Sequence, residues 1–118
     1  MALTPSNNFQ KGIAAPKFTL VDTISGKKVS LEELQGKKGT VIFFICNHCP
    51  FVIHINKVLV QIANAYSAKG FSFIAISSND SEKYPMDGPA QMKIHAEKEN
   101  YPFPYLYDET QEVAKAYD

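Results

Sequence analysis

Residues 41–55 read VIFFICNHCPFVIHI, and the way this stretch divides decides the fold. Its first part, within TVIFFI at 40–45, is a continuous β-branched and aromatic run, the pattern of a strand buried on both faces. After Cys49 the period changes. Phe51, Ile55, Val58, Leu59, Ile62 and Tyr66 recur at helical spacing and Gly70 closes the segment, which predicts one long helix. The stripe Phe51, Ile55, Leu59, Ile62 and Tyr66 is expected to be its core face. Cys46 and Cys49, the only cysteines, therefore fall at a strand-to-helix junction.

At such a junction unpaired N–H groups and the positive end of the helix dipole are expected to face Cys46. They would favour its thiolate, the attacking species in thiol chemistry. Cys49 lies about one turn on, within reach of a disulfide. Pro50 suits a first helical turn, where a missing N–H costs little. His48, when protonated, adds positive charge beside Cys46, stabilises the reduced form and makes the disulfide more oxidising. Other chemistries for the pair are weaker. Two buried small apolar residues would not need this placement. A metal half-site needs two more ligands; His54 lies nearly two turns along the helix and His95 on another element. Haem attachment needs a histidine where Pro50 stands. A redox pair is the favoured reading, with copper or zinc delivery through Cys46, Cys49 and a histidine, or redox sensing without turnover, as the alternatives.

The rest of the chain supplies the setting. KFTLVD and KKVS read as short strands joined by TISG, where Gly26 can take a positive φ. Ser30 and Glu33 form a capping-box pattern, and Gly36 ends that short helix. FSFIAIS at 71–77 is a second buried strand. Asp87 and Pro89 are expected to open a helix carrying Met92, Ile94 and His95, with Asp87 as its cap. PYLY is a short extended piece, and Asp108 caps a last helix. Residues 1–16 form an irregular lead-in to a single domain covering residues 1–118. Strands alternating with helices imply an α/β fold with helices on both faces of the sheet. TVIFFI, as the most apolar strand, is expected in the middle, paired on both sides. Only one later strand matches its apolarity, so its second side awaits a short strand or residues beyond this chain.

With 118 residues the chain is long enough for one core. Twelve basic residues, all lysine, balance twelve acids, so no field draws nucleic acid or an anionic membrane. Without arginine, bidentate clamping of phosphate or carboxylate is excluded. No run reaches membrane-spanning length and no secretory signal precedes the domain, which predicts a cytoplasmic protein. There a two-cysteine pair is more often catalytic, redox-sensing or metal-binding than a permanent staple. No cofactor is called for. Asn79 and Asp80 end a strand at the sheet edge that carries Cys46, the usual ligand edge of α/β sheets. Tyr84, with Pro85, Asp87 and Pro89, follows as a stiff connection beside it. Asn47, Pro50, Asn79 and Tyr84 are the candidates for substrate contact.

GIAAPKFTLVDTISGKKVSLEELQGKKGTVIFFIC at 12–46 resembles the opening of the thioredoxin-like superfamily, in particular its redoxin branch of thiol-specific antioxidant and cytochrome-maturation relatives. CNHCP followed by SSND and YPMDGP resembles one subgroup of that branch. The resemblance implies a thioredoxin-like three-layer α/β/α fold with a central mixed sheet. It also implies an exposed nucleophile at Cys46, a resolving thiol at Cys49, and protein or small-molecule disulfides and an unidentified electron donor as partners. A histidine before the second cysteine also occurs in strongly oxidising periplasmic members. There are two departures. Peroxiredoxins carry proline and serine or threonine where Gly39 and Phe43 stand, and an arginine beside the sulfur, so no peroxide reduction by that mechanism is expected. Relatives also continue into a cis-proline strand, a hairpin partner and a final helix, so the chain is expected to be a shortened form, weak in turnover and prone to dimerise through the uncovered sheet edge.

Overall fold

The computed structural model describes residues 11–47, 49–79 and 82–117. Gly26, at φ +75°, turns the first two strands into an antiparallel hairpin of β1 (Thr19–Asp22) and β2 (Lys28–Ser30). The expected capping box is present. Ser30 Oγ accepts the Glu33 N–H at 3.3 Å, and Glu33 accepts the Ser30 N–H at 3.2 Å, starting α1 (Leu31–Leu34). Next come β3 (Gly39–Phe44), α2 (Pro50–Ser67), β4 (Phe71–Ser77), a single 3-10 turn (Pro85–Asp87), α3 (Pro89–Lys98), β5 (Tyr105–Tyr107) and α4 (Glu112–Tyr117).

The sheet runs in the order β2-β1-β5-β4-β3. β3 pairs with β4 in parallel, β4 with β5 in parallel, and β5 with β1 antiparallel, so the sheet is mixed. On one face Val52 and Ala63 of α2 and Met92 and Ala96 of α3 pack with both cysteines, Phe73, Ala75 and Tyr105. On the other face Phe18, Leu31 of α1, and Val113 and Tyr117 of α4 cover Ile74, Ile76 and Leu106. This is the three-layer α/β/α arrangement. β4 is its best-buried strand: Ile74 and Ile76 have no exposed surface, and each buried side chain contributes about 1.5–3 kcal/mol relative to an exposed one.

Two expectations are corrected. The strand containing TVIFFI is not central; among the described residues it pairs only with β4 and forms an edge, with Val41 and Phe44 partly exposed. The central positions belong to β4 and β5, because PYLY, read as a short extended piece, pairs on both sides. The stripe on α2 is not core either. Phe51, Ile55, Ile62 and Tyr66 are exposed, and of the five only Leu59 packs on the core. The inward face is Val52, Asn56 and Ala63. α2 is apolar on nearly every side, so periodicity could not select between two stripes, and the inward one carries the smaller side chains.

Candidate functional site

β3 ends at Phe44, and Ile45 N–H still reaches the Ile76 carbonyl at 2.9 Å, fixing where the chain leaves the sheet. Cys46 and Asn47 turn the chain, and Cys49 is the N-cap of α2, with Pro50 as its exposed first residue. Cys49 C=O accepts the Ile53 N–H at 3.0 Å. The Val52 and Phe51 N–H groups of the first turn face Cys49. Val52 N–H, above all, lowers the Cys49 pKa; burial opposes it, and Phe51 N–H and a hydrogen bond from the Cys46 thiol add to the lowering. Both cysteines are free thiols and only 1% exposed. Cys49 is buried as expected, whereas Cys46, expected to be exposed, is buried as well. The helix begins one residue after the second cysteine, so the N-cap position falls on Cys49.

Asn47 is buried and held from three sides. Its N–H donates to Asp87 Oδ1 at 3.0 Å and its Nδ2 to the Met86 carbonyl at 2.7 Å, while its Oδ1 accepts the Tyr105 hydroxyl proton at 2.9 Å. Asn79 Nδ2 donates to Asp87 Oδ2 at 2.9 Å. Asp87 is fully buried. Asp87 was expected to cap α3, but Gly88 takes that position and the carboxylate turns toward the thiol loop. SSND and YPMDGP thus meet CNHCP in one network. Tyr84 is exposed, and its carbonyl accepts the Asp87 N–H at 2.9 Å, closing the 3-10 turn. His48 and Asp80 lie outside the described residues.

Behind the loop, burial raises the Tyr105 pKa well above its usual value, and the facing Tyr101, Cys46 and Asp87 raise it further. Burial likewise raises the Tyr101 pKa, so Tyr101 and Tyr105 remain neutral donors at physiological pH. Tyr101 donates to Asn56 Oδ1 at 2.8 Å, and Asn56 Nδ2 lies 3.3 Å from His95 Nε2. Sequence reading missed Tyr101, Tyr105 and Asn56; an asparagine on the inward face of an apolar helix was the available signal for this cluster. His54 is exposed on α2, whereas His95 is half-buried in the cluster rather than on open helix surface. Among the described residues no three His, Cys, Asp or Glu side chains gather in a metal-holding group.

Burial lowers the His95 pKa, with Glu99 opposing, Lys98 assisting and Asp87 opposing. Folded His95 thus binds protons less readily than unfolded. Its contribution to stability is full above about pH 6.5 and is lost as pH falls below that value. Denaturant midpoints followed from neutral pH to about pH 5 should decline less steeply for His95→Gln than for the wild type. Parallel curves would remove His95 as a source of the acid sensitivity.

The AhpC/TSA family model matches residues 12–118. The chain belongs to the AhpC/TSA family. It is 59% identical to a conserved protein from Geobacillus kaustophilus whose crystal structure superposes with a TM-score of 0.93, the match covering 95% of this chain and 59% of that one. A secreted Mycobacterium tuberculosis disulfide oxidoreductase, described as homologous to E. coli DsbE, is 26% identical with a TM-score of 0.70, over 86% of this chain and 67% of that one. Chloroplastic peroxiredoxin Q from Populus jackii is 30% identical over 105 residues, 89% of this chain and 45% of that protein. The chain spans less than half the length of that curated relative. These likenesses make the fold thioredoxin-like.

Proposed function

We propose that Cys46 and Cys49 form a redox couple that exchanges electrons with disulfides of proteins or small molecules. The observation that carries this reading is the shared hydrogen bond of the reduced pair: Cys46 S–H donates to Cys49, whose sulfur also receives the Phe51 and Val52 N–H groups. Two coupled thiols titrate as a unit, with the negative charge favoured on Cys49 and the proton on Cys46. As Cys46 attacks one sulfur of a partner disulfide, its proton passes to Cys49 and the other partner sulfur leaves as a thiolate. Cys49 then attacks Cys46, the mixed disulfide breaks, and the Cys49 proton goes to the leaving thiolate. The pair loses two electrons, the partner gains two, and a reduced donor thiol resets the cycle. Asn47 orients the loop, Asn79 supports it through Asp87, and Pro50 and Tyr84 lie on its exposed side. His48 adds positive charge when protonated.

Peroxide reduction is the second reading, supported by the 30% identity to a protein named peroxiredoxin Q. That likeness leaves the expected lack of peroxidase activity without support. Here the thiolate would attack a peroxide oxygen, giving a sulfenic acid and an alcohol or water, and the second thiol would condense with it to the disulfide, releasing water. Side-by-side assays with insulin and hydrogen peroxide, each coupled to a dithiol donor, separate the two. Turnover on insulin above the peroxide rate supports exchange; peroxide turnover alone would replace it with the second reading.

A further inference from the structure

At the end of the 3-10 turn, bonded to the thiol loop, sits a buried carboxylate whose position the exchange chemistry does not by itself require. Asp87 has no exposed surface, and both its oxygens accept protons, from Asn47 N–H at 3.0 Å and Asn79 Nδ2 at 2.9 Å, as suits an ionised group. The Asn47 N–H is the first peptide donor after Cys46, and a peptide N–H within reach of a sulfur stabilises its negative charge. Its direction is fixed, because the Asn47 side chain is held by the Met86 carbonyl on one side and the Tyr105 hydroxyl on the other. The link joins positions forty residues apart in sequence, so it ties the thiol loop to the turn before α3.

We propose that Asp87 is a positioning residue that makes the thiol pair more reducing, by taking the Asn47 N–H away from Cys46 and setting a buried negative charge behind it. This rests on the thiol–disulfide reading above. A fixed anion beside Cys46 disfavours thiolate there, and what disfavours the thiolate disfavours the reduced state relative to the disulfide. The groups facing the carboxylate have distinct effects. Tyr105 from β5 is a neutral donor, His95 from α3 carries little positive charge at neutral pH, and Asn79 partly compensates the anion. His48, when protonated, would act in the opposite sense to Asp87.

The test is the dithiol-to-disulfide ratio of the whole chain at equilibrium in glutathione buffer of fixed composition. Asp87→Asn keeps the shape and removes the charge; it should raise the ratio about tenfold, a potential about 30 mV more positive. Asn79→Ala removes a donor from the carboxylate and should move the ratio the other way, which keeps the proposal testable if Asp87→Asn fails to fold. Asp108→Asn is the control. Asp108 is another buried carboxylate, but it caps α4 by accepting from Val113 and Ala114. It should lower the melting temperature and leave the ratio unmoved. A folded Asp87→Asn protein with the wild-type ratio, a shift of Asn79→Ala in the same direction, or an equal shift in Asp108→Asn would each overturn the proposal. A wild-type chain that forms no Cys46–Cys49 disulfide would overturn both it and the function it rests on.

Discussion

Cys49→Ser should leave the protein able to capture a disulfide partner and unable to release it. Insulin reduction should fall to the uncatalysed rate, because resolution of the mixed disulfide needs the second thiol. The capture itself should slow as well. Cys46 loses the sulfur that takes its proton, and an unassisted thiol is only about a few per cent ionised at pH 7. Cys46→Ser should be equally inactive in turnover for a different reason. It keeps the sulfur that the Phe51 and Val52 N–H groups stabilise, but that sulfur is buried and has no thiol partner. Peptide mapping of the complexes decides the assignment. A mixed disulfide on Cys46 in the Cys49→Ser protein fits the mechanism; abundant mixed disulfide on Cys49 in the Cys46→Ser protein would reverse the two roles.

The second large contrast concerns the outer face of α2. Phe51 is 78% exposed and Ile55 and Ile62 are about half exposed, and Val41 and Phe44 of β3, an edge strand among the described residues, are also partly uncovered. Ile55→Lys and Ile62→Lys should therefore change unfolding free energy by no more than about 0.5 kcal/mol each, the usual range for surface positions. Were this face the core, burying the new charge would cost several times as much. Exposed apolar side chains on a helix and on an edge strand also favour association. The wild-type 118-residue chain should self-associate in light scattering, and the two lysine variants should shift it toward monomer. Severe destabilisation by either variant, or a wild-type monomer at high concentration, would contradict this account of the surface.

The parts of the fold that follow from local chemistry were legible in the sequence. The Gly26 turn, the Ser30–Glu33 capping box, β4 and the strand-to-helix junction at the cysteines each rest on neighbouring residues, and each stands where expected. What depended on distant partners was not legible. Among the described residues β3 stands at the edge and β5 at the centre, and the four-residue PYLY, three of which form β5, carried no sign of pairing on both sides. The same limit applies to the site. CNHCP, SSND and YPMDGP were each visible as motifs, but their meeting at Asp87 is a tertiary fact, and proximity to Pro89 made a helix cap the simpler reading of that aspartate. The helix start at Pro50 was legible, but the burial of Cys46 was not, because it depends on packing from distant elements.

The central claim is that Cys46 and Cys49 are one reversible two-electron couple. Equilibrating the chain across a series of reduced-to-oxidised glutathione ratios, quenching with acid, and weighing the protein after thiol alkylation tests it most directly. The account predicts a single transition between a doubly alkylated dithiol and an unalkylated disulfide, following two-electron behaviour of about 30 mV per tenfold change in the equilibrium constant. Stable glutathione adducts with no internal disulfide, or two thiols that stay alkylatable at every ratio, would contradict it.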